Sequence, residues 1–374
     1  MSNLKYWYID DEEGKPEETT IRMLVSYGIK AEQFSLRDYQ DFGSLKKAII
    51  KLIDDNFGGL ILDLRLDGQG NYPTAFNATA LAQELRSVAS MGETCIYPIV
   101  LTSTDEKIKE TYNNDKSSHD LFDYKIHKSS ENWEKRSKKL ISLAHDYKKI
   151  DNTMFDSRSA ESILYDLLGK ETTNIKDVRI IEKLVGLIDQ GDKHYFVNFI
   201  IKQFFHFTNP LVNRRVLFAK LGLFIDNLAN DEINGILELF EVAKYTGIFS
   251  KGWDRWWQVD IDAVIKEKFQ TNFSFIPAED RVNIINDKLN LNLKPFEGLE
   301  YNFSTEYSTI CEATKKPIDH LEGFRISTSH DFLPWQMHKY LSLYAYLERI
   351  RISEIKPHPL ELENIKNARN ELGI

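Results

Sequence analysis

Four short stretches of this chain end in residues that could do chemistry together. One is Asp10-Asp11-Glu12, closing the run KYWYID. A second is Asp63, inside LILDLRLD. A third is Thr102-Ser103, closing IYPIVLTS, and the fourth is Lys128, closing DYKIHK. If all four tips lie on one edge, the carboxylates of Asp10, Asp11 and Asp63, the Thr102 hydroxyl and the Lys128 ammonium converge. Like charges brought together repel and raise each other's pKa, so such a cluster is comfortable only beside a cation. Clustered carboxylates with few other ligands suit a hard, oxygen-seeking ion such as Mg²⁺, which keeps several waters and takes substrate phosphate oxygens. A lysine opposite would pair with a phosphate as a point charge.

The elements that must position these tips are readable from periodicity. Lys5–Asp10, Gln33–Leu36, Gly59–Leu64, Ile96–Leu101 and Leu121–Ile126 have the composition of strands. Between them, Ile21–Tyr27, Phe42–Asp54, Ala80–Val88 and Trp133–Tyr147 carry apolar residues at helical spacing. Continuous apolar strands alternating with helices predict a parallel sheet covered on both faces. The expected fold is a five-stranded, doubly wound, flavodoxin-like α/β domain over 1–150. Ligand chemistry in that class sits at the carboxyl ends of the strands, where these polar residues fall.

In that order and context, YIDDEE, LILDLRL, PIVLTS and DYKIHKS resemble the receiver domain of two-component response regulators, over about Leu4–Tyr147. The resemblance implies that Asp63 is the nucleophile, taking a phosphoryl group from a partner's phosphohistidine. Asp10, Asp11, Asp63 and the backbone carbonyl of Arg65 would hold Mg²⁺. Thr102 would hydrogen-bond the acyl phosphate, and Lys128 would neutralise one of its oxygens. The implied partners are a histidine kinase or phosphotransfer protein and a downstream protein. Some residues depart from the family pattern. Ser129 stands where the family usually has proline. The family's switch aromatic falls at Lys125, with Tyr124 one residue off. The separation from Asp63 to Thr102 is long, and the excess is placed in the loop Asp67–Thr79, a segment that could gate the acceptor or dock a partner.

The rest of the chain reads differently. Residues 151–374 are expected to form a mainly helical output or interaction domain, with Lys148–Asp156 as linker and short strands within Phe296–Cys311. Helical periodicity covers Ser162–Leu168, Val178–Ile188, Tyr195–Phe207, Val212–Leu228, Glu232–Tyr245, Asp260–Phe269, Glu279–Leu289, Tyr340–Ile352 and Leu360–Leu372. No P-loop, GxSxG or HExxH pattern occurs, so no classical enzyme motif is present. The net charge is −9, most of it after residue 150, which argues against a DNA-binding output. Asn213-Arg214-Arg215 with Lys220 reads as a solvated helix face, and the basic run Lys135, Arg136, Lys138, Lys139, Lys148 and Lys149 as a solvated face or a docking site for the second domain or an acidic partner.

Trp253, Trp256 and Trp257 would lie on one side if their segment were helical, as core or as a partner-binding spot. His320, His330 and His338, near Cys311 and Asp331, match no metal-binding spacing, and Gly68-Gln69-Gly70 is a loop lacking the helix-opening context of a phosphate cradle. Two cysteines and a polar N-terminus without a signal peptide predict a reduced, cytoplasmic protein. No membrane contact is expected, because no apolar stretch approaches the ~18–20 residues of a spanning helix. The expected function is phosphorylation-dependent signalling through protein–protein contacts. The alternatives are a non-phosphorylated pseudo-receiver scaffold and an effector enzyme in the C-terminal half gated by the receiver.

Overall fold

The computed structural model describes residues 4–12, 15–39, 41–67, 72–103, 120–128, 132–154, 157–171, 174–328 and 332–373. Ser129, Gly68-Gln69-Gly70, His330 and Asp331 lie outside the described residues. The chain divides into two compact units. The first holds residues 1–201 together with Thr246–Trp253, and the second holds Lys202–Tyr245 and Asp254–Ile374.

The first unit is built on five parallel strands: β1 (Lys5–Ile9), β2 (Lys30–Phe34), β3 (Phe57–Asp63), β4 (Ile99–Ser103) and β5 (Tyr124–His127), in the order β2-β1-β3-β4-β5. That order is the flavodoxin-like one, with its reversal point at β1 and β3. All seven residues of β3 are buried, as required of a central strand with helices on both faces. The described helices between the strands are α1 (Lys15–Ser26), α2 (Phe42–Lys51) and α3 (Ala78–Ser90), and α4 (Trp133–Thr153) follows β5. Three of them start where the sequence supplies a side-chain acceptor. Asp41, Asn77 and Asn132 each accept an amide three residues on, from Ser44, Ala80 and Lys135. The core joins Ile9, Leu60, Leu62, Ile99 and Leu101 of the sheet to Leu45 and Ile49 of α2 and Leu81 and Leu85 of α3.

Lys148–Asp156, expected as a linker, is instead helical through Thr153, and the remainder includes residues outside the described set. Tyr147 and Ile150 explain the difference, since both are buried and extend the apolar face of α4. The expected division at residue 150 thus falls inside a helix. Three more helices, Ala160–Leu168 (α5), Val178–Asp189 (α6) and Lys193–Phe199 (α7), belong to the same unit.

Gly59 sits at φ +140 in β3, where an added Cβ would meet Pro98 O at 2.6 Å and Tyr6 Cε1 at 2.8 Å. Gly59→Ala therefore combines backbone strain with a collision against neighbouring strands. We expect it to lower stability by about 2–4 kcal/mol, read as lost amide-exchange protection in β1, β3 and β4.

The second unit is mainly helical, with α8 (Arg214–Lys220), α9 (Asn230–Leu239), α10 (Gln258–Phe269), α11 (Ala278–Leu289), α12 (Leu343–Leu347) and α13 (Leu362–Leu372). Three two-stranded antiparallel ladders accompany them: Leu211–Val212 with Trp256–Trp257, Thr309–Ile310 with Pro317–Ile318, and Phe324–Arg325 with Tyr340–Leu341. Two sequence expectations change here. Val212–Leu228 is not one helix, and Trp256–Trp257 is a strand whose side chains are buried with those of Leu211 and Val212. Trp253 is buried as well, but in the first unit, so the tryptophans form no exposed partner-binding face.

Candidate functional site

The parallel sheet brings the four tips to one edge. β1 ends immediately before Asp10, β3 ends at Asp63, and Asp63 lies in register with Thr102 on β4. Lys128 follows β5, and its amide donates to Ser103 O at 2.9 Å. Asp10, Asp11 and Asp63 are 3–4% exposed and Thr102 is fully buried. Carboxylate oxygens from the three aspartates lie within 4.8 Å of one another, and among the described residues no other group of three acids, histidines or cysteines is so arranged.

Local hydrogen bonds aim these groups. The Arg65 amide donates to Asp63 Oδ2 at 2.9 Å, so the turn after β3 folds back on its own carboxylate. Asp10 accepts from the Tyr8 hydroxyl at 3.1 Å and from the Glu12 amide at 3.2 Å. Lys128 Nζ lies 2.8 Å from Asp63 and 3.1 Å from Asp10, bridging the two. Tyr72, past the end of the Gly68-Gln69-Gly70 stretch, donates its amide to Asp11 O at 3.0 Å. Thr74 secures the same loop through bonds to Leu66 O and Phe76 O.

The electrostatics follow from burial and pairing. Burial raises the Asp10 carboxyl above its ordinary value, against the opposing pull of Lys128, the Glu12 amide and Tyr8. Burial alone would lower the Lys128 ammonium, but Asp63 and then Asp10 raise it, so it stays charged. Thr102 Oγ1 has no hydrogen-bond partner among the described residues. A buried hydroxyl left unmatched costs stability.

Tyr124 pairs in register with Val100 and Ile126 with Thr102, so Tyr124 and Thr102 share a face of the sheet while Lys125 takes the other. Tyr124 is occupied: its ring meets Trp253 edge-on at 6.3 Å, and Lys139 Nζ lies 4.5 Å from its centroid. Sequence periodicity gives no sign of this contact, because Trp253 is distant in the chain. Of the basic run on α4, Arg136 and Lys139 are therefore not simply solvated. Arg136 is buried and donates to His127 O at 2.8 Å.

Cys311 Sγ accepts from the Ser342 amide and hydroxyl at 3.4 Å. His320 Nδ1 faces Ser308 Oγ at 2.8 Å and Asp319 Oδ1 at 3.4 Å. Both contacts use the same ring nitrogen, whereas a nucleophilic triad needs serine and aspartate on opposite nitrogens. Asn213 caps α8, Arg214 pairs with Asp254 and Arg215 with Asp226, so both arginines of that basic spot are paired. A cavity of about 180 Å³ opens at the other end of the sheet, beside Cys95, Tyr97 and Tyr147, away from the acids. No described helix is long and apolar enough to cross a membrane.

No protein-family model matches the chain, and no curated protein does. Among solved structures, the chain is similar to a response regulator receiver domain protein from Clostridium thermocellum. Identity is 14%, over 39% of this chain and 98% of that one, with a TM-score of 0.28. It is also similar to the response regulator StyR, at 14% identity over 76% of this chain and 98% of that one, with a TM-score of 0.25. The fold assignment rests on this chain's own strand order.

Proposed function

We propose that the first unit is a phosphoacceptor. The observation that carries this reading is the meeting of Asp10, Asp11, Asp63, Thr102 and Lys128 at the carboxyl edge of a parallel sheet. An Asp63 oxygen attacks the phosphorus of a phosphohistidine on a histidine kinase or phosphotransfer protein. The O–P bond forms, the P–N bond breaks, and the imidazole leaves. Lys128 offers charge to a phosphoryl oxygen, and the Thr102 hydroxyl donates to another. The all-oxygen donor set fits a hard cation, with Asp10, Asp11, Asp63 and the Arg65 carbonyl as its ligands. When bound, Mg²⁺ would offset the charge of the three carboxylates and of the incoming phosphoryl group. The work left to the protein is positioning and charge stabilisation.

Phosphorylation adds negative charge and acceptor oxygens at the tips of β4 and β5, which is a local switch for a downstream protein partner. The second unit, mainly helical and with both arginines of its basic spot paired, is read as the protein-interaction part, in a cytoplasmic protein that binds neither DNA nor membrane.

Beryllofluoride, a mimic of an aspartyl phosphate, tests the pocket without a kinase. With Mg²⁺ it should bind the full-length chain at pH 7 and raise amide-exchange protection at Thr102 and Lys128. Affinity should fall on acidification, since a carboxyl whose pKa is raised, as at Asp10, takes up a proton sooner than an ordinary aspartate. No binding at pH 7, or binding indifferent to Mg²⁺, would sink the proposal.

A further inference from the structure

The second unit contains a lysine in surroundings that favour a nucleophile. Lys339 Nζ lies 2.8 Å from His206 Nε2 and 3.9 Å from Glu312 Oε1. Its side chain is 16% exposed, and the ammonium lies 5.6 Å from the Phe207 ring centroid. Glu312 is shared, since Lys315 pairs with it. Arg255 adds positive charge to the neighbourhood, although its own hydrogen bonds go to Phe205 O and Asp254 O. Lys339 and Lys315 therefore share one carboxylate.

This arrangement disfavours the ammonium form. Burial brings the Lys339 pKa down to about 8, with Glu312 opposing and Lys315 and Arg255 adding to the fall. Roughly a tenth of the amine is then neutral at pH 7, against well under about 0.1% for an ordinary lysine. A desolvated lysine beside other cations is the setting in which amines become nucleophiles towards carbonyls.

We propose that Lys339 is a carbonyl-reactive site that forms an imine with a small anionic aldehyde. The neutral amine attacks the carbonyl carbon, and a nitrogen proton passes to His206 Nε2. That proton is handed to the alkoxide oxygen to give the carbinolamine, and a second one, taken up by His206 from solvent, protonates the hydroxyl, which leaves as water as the C=N bond forms. Nothing is oxidised or reduced: amine, aldehyde and one solvent proton give a protonated imine and water. Glu312 lies where it would face the protonated imine as counter-charge. The partly exposed Lys315 accounts for the anionic preference, because a negative group on the aldehyde would meet it.

The test uses the full-length chain and pyridoxal phosphate as the anionic aldehyde, in substoichiometric amount, with borohydride reduction and peptide mapping. Lys339 should be labelled at least about tenfold faster than the exposed Lys138, with a rate that rises through pH 8. Lys339→Arg should remove that adduct alone, and His206→Gln should slow it severalfold. Glycolaldehyde, which carries no charge, should label Lys339 more slowly. An unlabelled Lys339, or labelling no faster than at Lys138, would overturn the proposal, and equal rates for the two aldehydes would overturn the anionic preference.

Discussion

Asparagine in place of Asp63 should abolish phosphorylation of the chain by a small phosphodonor in the presence of Mg²⁺. The exchange keeps the shape of the side chain and removes the charged oxygen that attacks phosphorus. Asp63 is buried at the end of β3, in register with Thr102. Asp10 is committed to Tyr8, the Glu12 amide and Lys128. The loss should therefore be complete rather than partial. Structure should survive, because removing one of three clustered like charges relieves repulsion. The measurement is acid-labile phosphate by intact mass, with circular dichroism to show that the variant is folded. Equal phosphate on wild type and Asp63→Asn would place the acceptor elsewhere.

The largest loss of stability should follow Asp123→Ala, at a site unrelated to the acids. Asp123 is fully buried in its side chain and pairs with Arg86 at 2.7 Å. It also accepts from the Ile99 amide at 2.8 Å and from the Tyr147 hydroxyl. Arg86 additionally donates to Tyr97 O and Leu121 O, so one ion pair ties α3, α4 and the starts of β4 and β5 together. Removing the aspartate leaves a buried guanidinium without its counter-charge and the Ile99 amide without its acceptor. Losing one partner of such a pair costs about 3–5 kcal/mol.

Two compact units make a single unfolding transition a poor reporter, so the readout is amide-exchange protection in β3 and β4. It should fall by roughly two orders of magnitude or more. The pH dependence has a definite sign. Burial pushes the Asp123 carboxyl up, but Arg86, His194, Tyr147 and the Ile99 amide together hold it below the ordinary value of 3.8. Its contribution is thus complete above that ordinary value and is lost as pH falls through the lower, folded one. A variant that removes Arg86 should lose that acid-dependent contribution, because burial then acts on the Asp123 carboxyl without its main opposing charge.

The tips of the strands were legible because polarity interrupts apolar runs there, and a parallel sheet has only one place to put such interruptions. Asp10, Asp63, Thr102 and Lys128 could be read from that rule alone. Strand limits were less legible: β4 starts at Ile99 rather than Ile96, and β5 runs Tyr124–His127 rather than Leu121–Ile126. Apolar residues such as Leu121 and Phe122 enter the core from the approach to a strand as readily as from the strand itself. Periodicity reports burial, and burial does not end where hydrogen-bonded pairing does.

The tail of α4 was misread because a run of lysines and acids looks like a linker unless Tyr147 and Ile150 are known to be buried. The tryptophans are core, as one of the two readings had it, but Trp253 serves Tyr124 while Trp256 and Trp257 belong to the second unit, a split with no local signal. Lys339 was invisible, since its neighbour His206 is far away in sequence.

The segment Thr246–Trp253 has a consequence for how the chain is made. Ile248 donates its amide to Leu167 O at 2.7 Å, Phe249 donates to Asp146 Oδ2 at 2.8 Å, and Gly252 passes so close to α4 that a Cβ would lie 2.9 Å from Lys139 Cα. The first unit is therefore stitched from two pieces of chain separated by Lys202–Tyr245. Domains usually fold in the order of their synthesis. Here the first unit cannot close until residue 253 has left the ribosome, by which time the opening part of the second unit has already emerged. Maturation of the two is interleaved, and a gene fragment ending at residue 150 or 201 would encode a sheet without its last buttress.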